Sequence, residues 1–209
     1  MPRPLVADPS QCALIVMDYQ PIVLDAMSDA GELLEHANEA IDIVRRHGGH
    51  VVFVRIAFED TDYAVIPASN RAFSAVAARR QLRDSEAATG IHPDLALRHD
   101  DTVVRKTRVG AFATTKLDER LTNLGVTTLL LAGVHTSGAV LSTVRDAADK
   151  DYRLILLSDC VSDPDEKVHD LLMEQVFRRQ ADIITAAGLD LLFSGPRPIG
   201  HRGQMNNWT

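Results

Sequence analysis

Six short segments centred on apolar residues recur along the chain. Continuous apolar runs of this length are typical of strands that are covered on both faces of a parallel sheet. The first run is the clearest, because it is wholly apolar until Asp18 follows it. The six predicted strands are residues 13–17, 50–55, 101–106, 127–132, 153–157 and 181–185.

Between these segments, apolar residues recur every three or four positions, which predicts amphipathic helices. The glycines Gly48, Gly49 and Gly125 stop the first two of them. Residues 59–89 are less regular, and we expect a long loop with a short helix there. The predicted helices are residues 31–47, 116–124, 137–149 and 166–180.

Strands that alternate with helices predict an α/β protein with three α/β/α layers around a mostly parallel six-stranded sheet. No repeat or linker divides the pattern, so we predict a single domain over residues 1–193. Residues 194–209 are rich in Gly, Pro, Asn and Gln. They predict an extended C-terminal arm that lies on a neighbouring subunit, with disorder as the alternative.

Composition and charge argue against several classes of protein. The 209 residues carry a net charge of −7 with both signs interspersed, which argues against nucleic-acid binding. No apolar stretch approaches the roughly 20 residues of a membrane-spanning helix, and residues 1–8 lack an apolar segment of signal-peptide length. We therefore expect a cytoplasmic protein that does not bind membranes. Cys12 and Cys160 are expected to be buried, apolar and free.

Three segments could carry chemistry, because sites in parallel sheets form at the carboxyl ends of the strands. Asp18 follows the first strand, Lys106 ends the third, and residues 133–139 join the fourth strand to its helix. A buried carboxyl beside a lysine can hold a proton ready for transfer, and a helix start offers free main-chain N–H groups. The alternatives are a structural salt bridge or cap and an ordinary turn.

The same segments resemble, in order and spacing, the motifs of the isochorismatase-like hydrolase superfamily, also known as the cysteine hydrolase family. Residues 13–20 (ALIVMDYQ) resemble its opening strand motif and residues 106–112 (KTRVGAF) its lysine motif. Residues 131–143 (LAGVHTSGAVLST) resemble its nucleophile motif. The resemblance extends from about residue 12 to residue 185, and it implies the α/β fold predicted above.

The resemblance implies a catalytic triad of Asp18, Lys106 and the residue at position 139, which is cysteine in the amidohydrolases of the family. It also implies an oxyanion hole at the main-chain N–H groups of His135 and Ala139. A cis peptide bond is implied between Val134 and His135.

Further expectations concern the ligand and the assembly. We expect a small organic substrate contacted by Gln20, Arg55, Phe112 and Val134; for Arg55, a surface salt bridge is the alternative. The resemblance implies a homo-oligomer, a dimer or a tetramer. No Asp-x-His cluster occurs, so we predict neither a metal nor a cofactor.

Position 139 departs from the family pattern, because alanine has no nucleophile. Three explanations are open: acid–base hydrolysis without a cysteine, as in isochorismatases that cleave a vinyl ether; a homologue that binds a small molecule without catalysis; or an amidohydrolase whose cysteine was replaced to trap substrate. A displaced serine nucleophile, Ser137 or Ser142, is a weaker alternative. Gly110 stands where the family often has serine, which we expect to change the shape of the pocket.

Overall fold

All six strands form one parallel sheet in the computed structural model, which describes residues 5–195. The strands are β1 (Cys12–Met17), β2 (His50–Ile56), β3 (Thr102–Lys106), β4 (Thr128–Val134), β5 (Arg153–Ser162) and β6 (Asp182–Ile184). Their order across the sheet is β3-β2-β1-β4-β5-β6. The predicted six-stranded parallel sheet is therefore confirmed.

Helices cover both faces of the sheet. They are α1 (Pro21–Leu24), α2 (Ala30–Arg46), α3 (Asp60–Ala64), α4 (Ser74–Arg79), α5 (Leu117–Asn123), α6 (Leu141–Ala148), α7 (Glu166–Leu171) and α8 (Leu189–Ser194). Two segments wind more widely, as π-helices: Thr136–Val140 before α6 and Leu172–Val176 after α7.

The core lies in two layers, one on each face of the sheet. Leu14 and Val16 of β1 point to the layer that contains α2 and α8, whereas Ile15 and Met17 point to the layer of α5 and α6. Side chains alternate between faces along a strand, and every residue of β1 is buried, so this strand must be apolar throughout. The three-layer α/β/α arrangement is thus confirmed.

β5 is longer than predicted, because it continues past residue 157 to Ser162. Its pairing with β4 shifts, so that Leu131 lies opposite Leu156 while Gly133 lies opposite Val161. The polar residues Ser158 and Asp159 interrupt the apolar run that marked the strand. A bulge accommodates such an interruption without ending the strand.

The helical predictions need three corrections. The predicted helix 166–180 is α7 followed by a π-helix and a 3₁₀ turn, Phe177–Arg179. The predicted helix 137–149 starts with a π-helix. Residues 59–89 hold two short helices, α3 and α4, rather than one.

Among residues 5–195, no helix is both long and apolar enough to span a membrane. Ser194 ends α8, and most of the predicted C-terminal arm, residues 196–209, lies outside the described residues. The boundaries predicted for the domain and the arm stay predictions.

Candidate functional site

Asp18 and Lys106 meet at the carboxyl edge of the sheet. Asp18 directly follows β1, and Lys106 is the last residue of β3. Only β2 separates these strands in the sheet, so two residues that are 88 positions apart in sequence become neighbours. Lys106 Nζ donates a hydrogen bond of 2.6 Å to Asp18 Oδ2.

The two carboxylate oxygens of Asp18 have different surroundings. Oδ2 accepts the bond from Lys106, whereas Oδ1 is buried and has no hydrogen-bond partner among residues 5–195. Lys106 Nζ is further fixed by the carbonyl of Val109, at 2.6 Å. The lysine therefore holds the carboxylate in place and leaves one oxygen free for chemistry.

Asp18 is locked by its backbone as well as by its side chain. Its φ angle of +59° lies in the left-handed region, which aspartate tolerates better than most residues. Its N–H continues the sheet hydrogen bonding by donating to the carbonyl of Val54, at 2.8 Å. The carboxylate is thus presented at a sharp turn immediately after the strand.

Burial dominates the electrostatics of this carboxyl. Asp18 and Lys106 are only 6% and 1% exposed. Loss of water raises the pKa of Asp18; Lys106 and then His135 lower it again, but the net shift is upward. A carboxyl with a raised pKa retains its proton at higher pH than an exposed one, which is what a general acid requires.

The turn after β4 holds position 139. The peptide bond between Val134 and His135 is cis, as the family resemblance implied. The carbonyl of His135 accepts the N–H groups of Gly138 and Val140. Ala139 is 3% exposed, so its methyl group lies against the interior of the protein. The oxyanion role predicted for the N–H groups of His135 and Ala139 stays a prediction.

Two residues beyond β5 hold this turn, and neither was predicted from the sequence. The Asp163 carboxylate accepts the N–H and the hydroxyl of Ser137, at 2.8 and 2.7 Å. Thr136 Oγ1 lies 2.9 Å from His169 Nδ1, on α7. No local motif could reveal these contacts, because they join residues 26 and 33 positions apart.

A cleft of about 630 Å³ borders these contacts. Asp163 and His169 line it together with carboxylates such as Asp29 and Glu32. Asp18 and Lys106 are not among its lining residues, so the cleft approaches the turn from the side of β5. Within residues 5–195, no group of three His, Cys, Asp or Glu side chains could hold a metal ion.

Two of the four predicted substrate contacts, Gln20 and Arg55, are bonded to other parts of the chain. Gln20 Nε2 donates to the carbonyls of Ile56 and Thr89, and its Oε1 accepts the N–H of Ile56. Arg55 pairs with Asp84 at 2.6 Å, which is the salt-bridge alternative. In this conformation both side chains bind other parts of the chain, and their substrate roles stay predictions.

The other two predicted contacts are Val134 and Phe112. Val134 is buried beside the turn. Phe112 is half-buried and stacks on Tyr152, with ring centroids 6.1 Å apart. Tyr152 directly precedes β5. The substrate roles of Val134 and Phe112 stay predictions.

Gly110 packs against α6. A Cβ atom at this position would lie 3.0 Å from Asp146 Oδ2 and 3.3 Å from Ser142 Cβ. The glycine therefore allows the segment after β3 to approach the helix closely. Ser142 Cβ faces this contact, and Ser137 Oγ donates to Asp163 at 2.7 Å. The displaced serine nucleophile stays an untested alternative.

Comparison with known proteins agrees with this geometry. The model of the Isochorismatase domain matches residues 12–188, which is most of the chain. The chain belongs to the isochorismatase family. This assignment confirms the resemblance inferred from the three motifs, and the curated relatives in this family include hydrolases.

Two curated relatives illustrate the match. The isochorismatase family protein YwoC of Bacillus subtilis is 27% identical over 179 residues, covering 86% of this chain and 92% of its own. A ureidoacrylate amidohydrolase, RutB of Methylobacterium radiotolerans, is 30% identical over 180 residues, covering 76% of this chain and 69% of its own.

A solved structure agrees on the fold. An isochorismatase family protein from Burkholderia thailandensis superimposes with a TM-score of 0.77 at 23% identity, covering 92% of this chain and 100% of the other. The resemblance implied cysteine at position 139, where this chain has alanine. Neither native cysteine replaces the thiol, because Cys12 starts β1 at the opposite edge of the sheet and Cys160 is fully buried in β5.

Proposed function

We propose that the protein hydrolyses a small organic molecule, at a vinyl ether or a C–N bond, by acid–base catalysis without a covalent intermediate. The observation that carries this proposal is the Asp18 carboxyl, which is buried, is fixed through one oxygen by Lys106, and has no partner for the other oxygen among residues 5–195. The methyl group of Ala139 supplies no nucleophile, so water takes that part.

The proposed roles follow from the surroundings of each group. Burial raises the pKa of Asp18, and in its protonated form the carboxyl delivers a proton from Oδ1 to the substrate. Lys106 orients the carboxyl and stabilises it once it is ionised. The main-chain N–H groups at the turn after β4 stabilise negative charge that develops on a carbonyl substrate.

A second candidate is a C–N amidohydrolase in which alanine has replaced the nucleophilic cysteine. The similarity to a ureidoacrylate amidohydrolase is the observation that favours this candidate. In that case the chain binds an amide or ureide and does not cleave it. A homologue that binds a small molecule without catalysis makes the same prediction for this chain.

The deciding experiment measures hydrolysis of isochorismate and a panel of amides and ureides by the native chain, Ala139→Cys and Asp18→Asn. The proposal expects turnover by the native chain and loss of turnover in Asp18→Asn. If Ala139→Cys cleaves amides and the native chain does not, the result would instead support the amidohydrolase candidate. Full activity of Asp18→Asn would refute the acid–base role, provided that circular dichroism shows an unchanged fold.

We also propose that the protein acts in the cytoplasm as a homo-oligomer, a dimer or a tetramer. Two free, buried cysteines fit a reducing compartment. Light scattering after size-exclusion chromatography tests the assembly, and a monomeric mass would contradict it.

A further inference from the structure

Two buried polar atoms without a protein partner lie at the same site. Among residues 5–195, Asp18 Oδ1 and His135 Nε2 are both shielded from solvent and make no hydrogen bond to the chain. Buried polar atoms are nearly always satisfied in folded proteins, and leaving one unsatisfied is costly. Four buried side-chain atoms lack a partner among residues 5–195, and these two belong to residues at the neighbouring ends of β1 and β4, where Met17 pairs with Gly133. Their common place at this edge points to a molecule from outside the chain that binds both.

The position of His135 supports this interpretation. It follows Val134, the last residue of β4, and β4 is the neighbour of β1 in the sheet. Its ring is close enough to Asp18 to lower the pKa of that carboxyl, as the third contribution after burial and Lys106. It is also four positions before Ala139, at the start of the same turn.

We propose that His135 is a catalytic residue that binds the attacking water through Nε2, with Asp18 Oδ1 as the second partner of that water. The proposal rests on the proposed hydrolase function and deepens it. A cysteine hydrolase obtains its nucleophile from the side chain at position 139. This chain has a methyl group there and, at the start of the same turn, an imidazole that can activate water.

The proposed step balances without any further reactant. Nε2 takes a proton from water as the water oxygen forms its bond to the electrophilic carbon. Asp18 gives its proton to the substrate atom that receives the electron pair of the breaking bond. The imidazolium then returns its proton to the Asp18 carboxylate through solvent, so both groups regain their starting states.

Several charged and titratable groups surround the imidazole and bear on any pH dependence. Asp18 faces it from the end of β1, and Lys106, at the end of β3, is paired with Asp18. Asp163, after β5, also senses its charge. His169 on α7 contacts the next residue of the turn, Thr136. A pH profile must therefore be compared between variants of His135, not read from the native chain alone.

The test combines kinetics with a crystal structure. His135→Gln retains a polar side chain but cannot take up a proton, so kcat/KM on a substrate found with the panel should fall by about 10²- to 10⁴-fold. The pH profile should also lose one of its limbs. His50→Gln is the matched control, because His50 is a half-buried histidine that starts β2 at the opposite edge of the sheet, and it should retain native activity.

The crystal structure separates this proposal from the general function. An ordered water within hydrogen-bond distance of both His135 Nε2 and Asp18 Oδ1 is expected in the native protein and should be lost in His135→Ala. Its absence from a well-ordered native site would overturn the proposal even if no substrate were found. Native activity and an unchanged pH profile in His135→Gln, with Asp18→Asn inactive, would overturn the role of His135 and leave the hydrolase function standing.

Discussion

Asp18 and Lys106 illustrate at the residue scale how a functional pair differs from a stabilising one. Taking both charges out of water costs several kcal/mol for each, and their attraction repays this only in part. A pair of apolar residues would fill the same space at no such cost. The ion pair at the edge of the sheet is therefore better explained by its chemistry than by its contribution to stability.

Lys106→Met should make the stability of the protein more sensitive to pH. Removing the cation raises the pKa of Asp18 further, because burial is then opposed only by weaker groups. A carboxyl whose pKa is higher in the folded than in the unfolded state stabilises the fold fully at pH values below its unfolded pKa of about 3.9. That stabilisation is lost as the pH rises through the folded-state pKa. Urea unfolding should show a larger loss at pH 8 than at pH 5.

The control for this prediction is the double variant Asp18→Asn, Lys106→Met, in which no carboxyl remains to titrate at the pair. Its loss of stability relative to the native protein should vary much less between the two pH values. An equal loss at pH 5 and pH 8 in the single variant would show that Asp18 does not respond to Lys106.

Gly133→Ala should destabilise the protein by about 1 to 3 kcal/mol, because it overpacks the junction of β4 and β1. The added Cβ would lie 2.9 Å from Val140 Cγ2 and 3.1 Å from Met17 Cβ, and neither atom can move freely. Gly31→Ala is the matched control, since nothing lies within 4 Å of its Cβ position. Equal unfolding midpoints for the two variants in urea would contradict the close approach at Gly133.

Some site residues could be predicted from their identity and position in the sequence, and others could not. Asp18 and Lys106 could be found because each is a charged residue at the end of an apolar strand. The surroundings of Gln20 could not be found in this way. Its amide bonds to Ile56 and Thr89, and such pairings depend on loops whose course the sequence pattern does not determine.

At the scale of elements, side chains that follow the neighbouring strand, β5, hold the turn after β4. Ser137 and Thr136 contact Asp163 and His169, which follow β5. The turn is π-helical rather than α-helical, so its hydrogen bonds are less regular than those of a helix start. Side chains from outside the turn therefore contribute to its shape.

Asp163→Asn should cost about 1 kcal/mol of stability at neutral pH, a modest value because the carboxylate is partly exposed. Burial raises the pKa of Asp163, but the hydrogen bonds from Ser137 and Asp165 lower it, and the net shift is downward. The carboxylate therefore stabilises the fold at pH values above its unfolded pKa of about 3.9. This contribution disappears as the pH falls through the lower pKa of the folded state.

Urea unfolding at pH 7 and pH 3 checks this prediction. The difference between Asp163→Asn and the native protein should shrink at pH 3, where the native carboxyl begins to take up a proton. Asp170→Asn is the control, because Asp170 is exposed on α7 and lies outside the contacts with the turn. A cost for Asp163→Asn that is unchanged at pH 3, or a similar cost for Asp170→Asn, would contradict the role of the charge.

The elements themselves were predictable where hydrophobic periodicity was uninterrupted. β1 and α2 each differ from the prediction by one residue at either end or less. β5 was cut short because Ser158 and Asp159 look like a turn. In the fold, the Asp159 carboxylate accepts the N–H of Ala186, at 2.9 Å, so a polar residue is satisfied within the strand by a distant segment.

At the scale of the molecule, alternating strands and helices were sufficient to predict the parallel sheet, because parallel strands require crossover connections. The strand order brings the ends of β3, β1 and β4 to one edge. Periodicity does not specify this order; the family resemblance did so by placing Lys106 and Asp18 in one site. Neither periodicity nor the resemblance indicated the contacts between the turn after β4 and the residues that follow β5.

The two cysteines report on the integrity of this sheet, because Cys12 lies in β1 and Cys160 in β5 and both are fully buried. Burial raises the pKa of Cys12 to about 11, so only about a thousandth of that thiol is ionised at pH 8, and it raises the pKa of Cys160 further. Both thiols should therefore resist a disulfide reagent in the native protein and react together as urea unfolds the sheet. Ala139→Cys adds a third thiol at the predicted nucleophile position, which should react well before the other two if Asp18 and Lys106 activate it as the proposed site requires. Rapid modification of either native cysteine without urea would show that β1 or β5 opens independently of the rest of the fold.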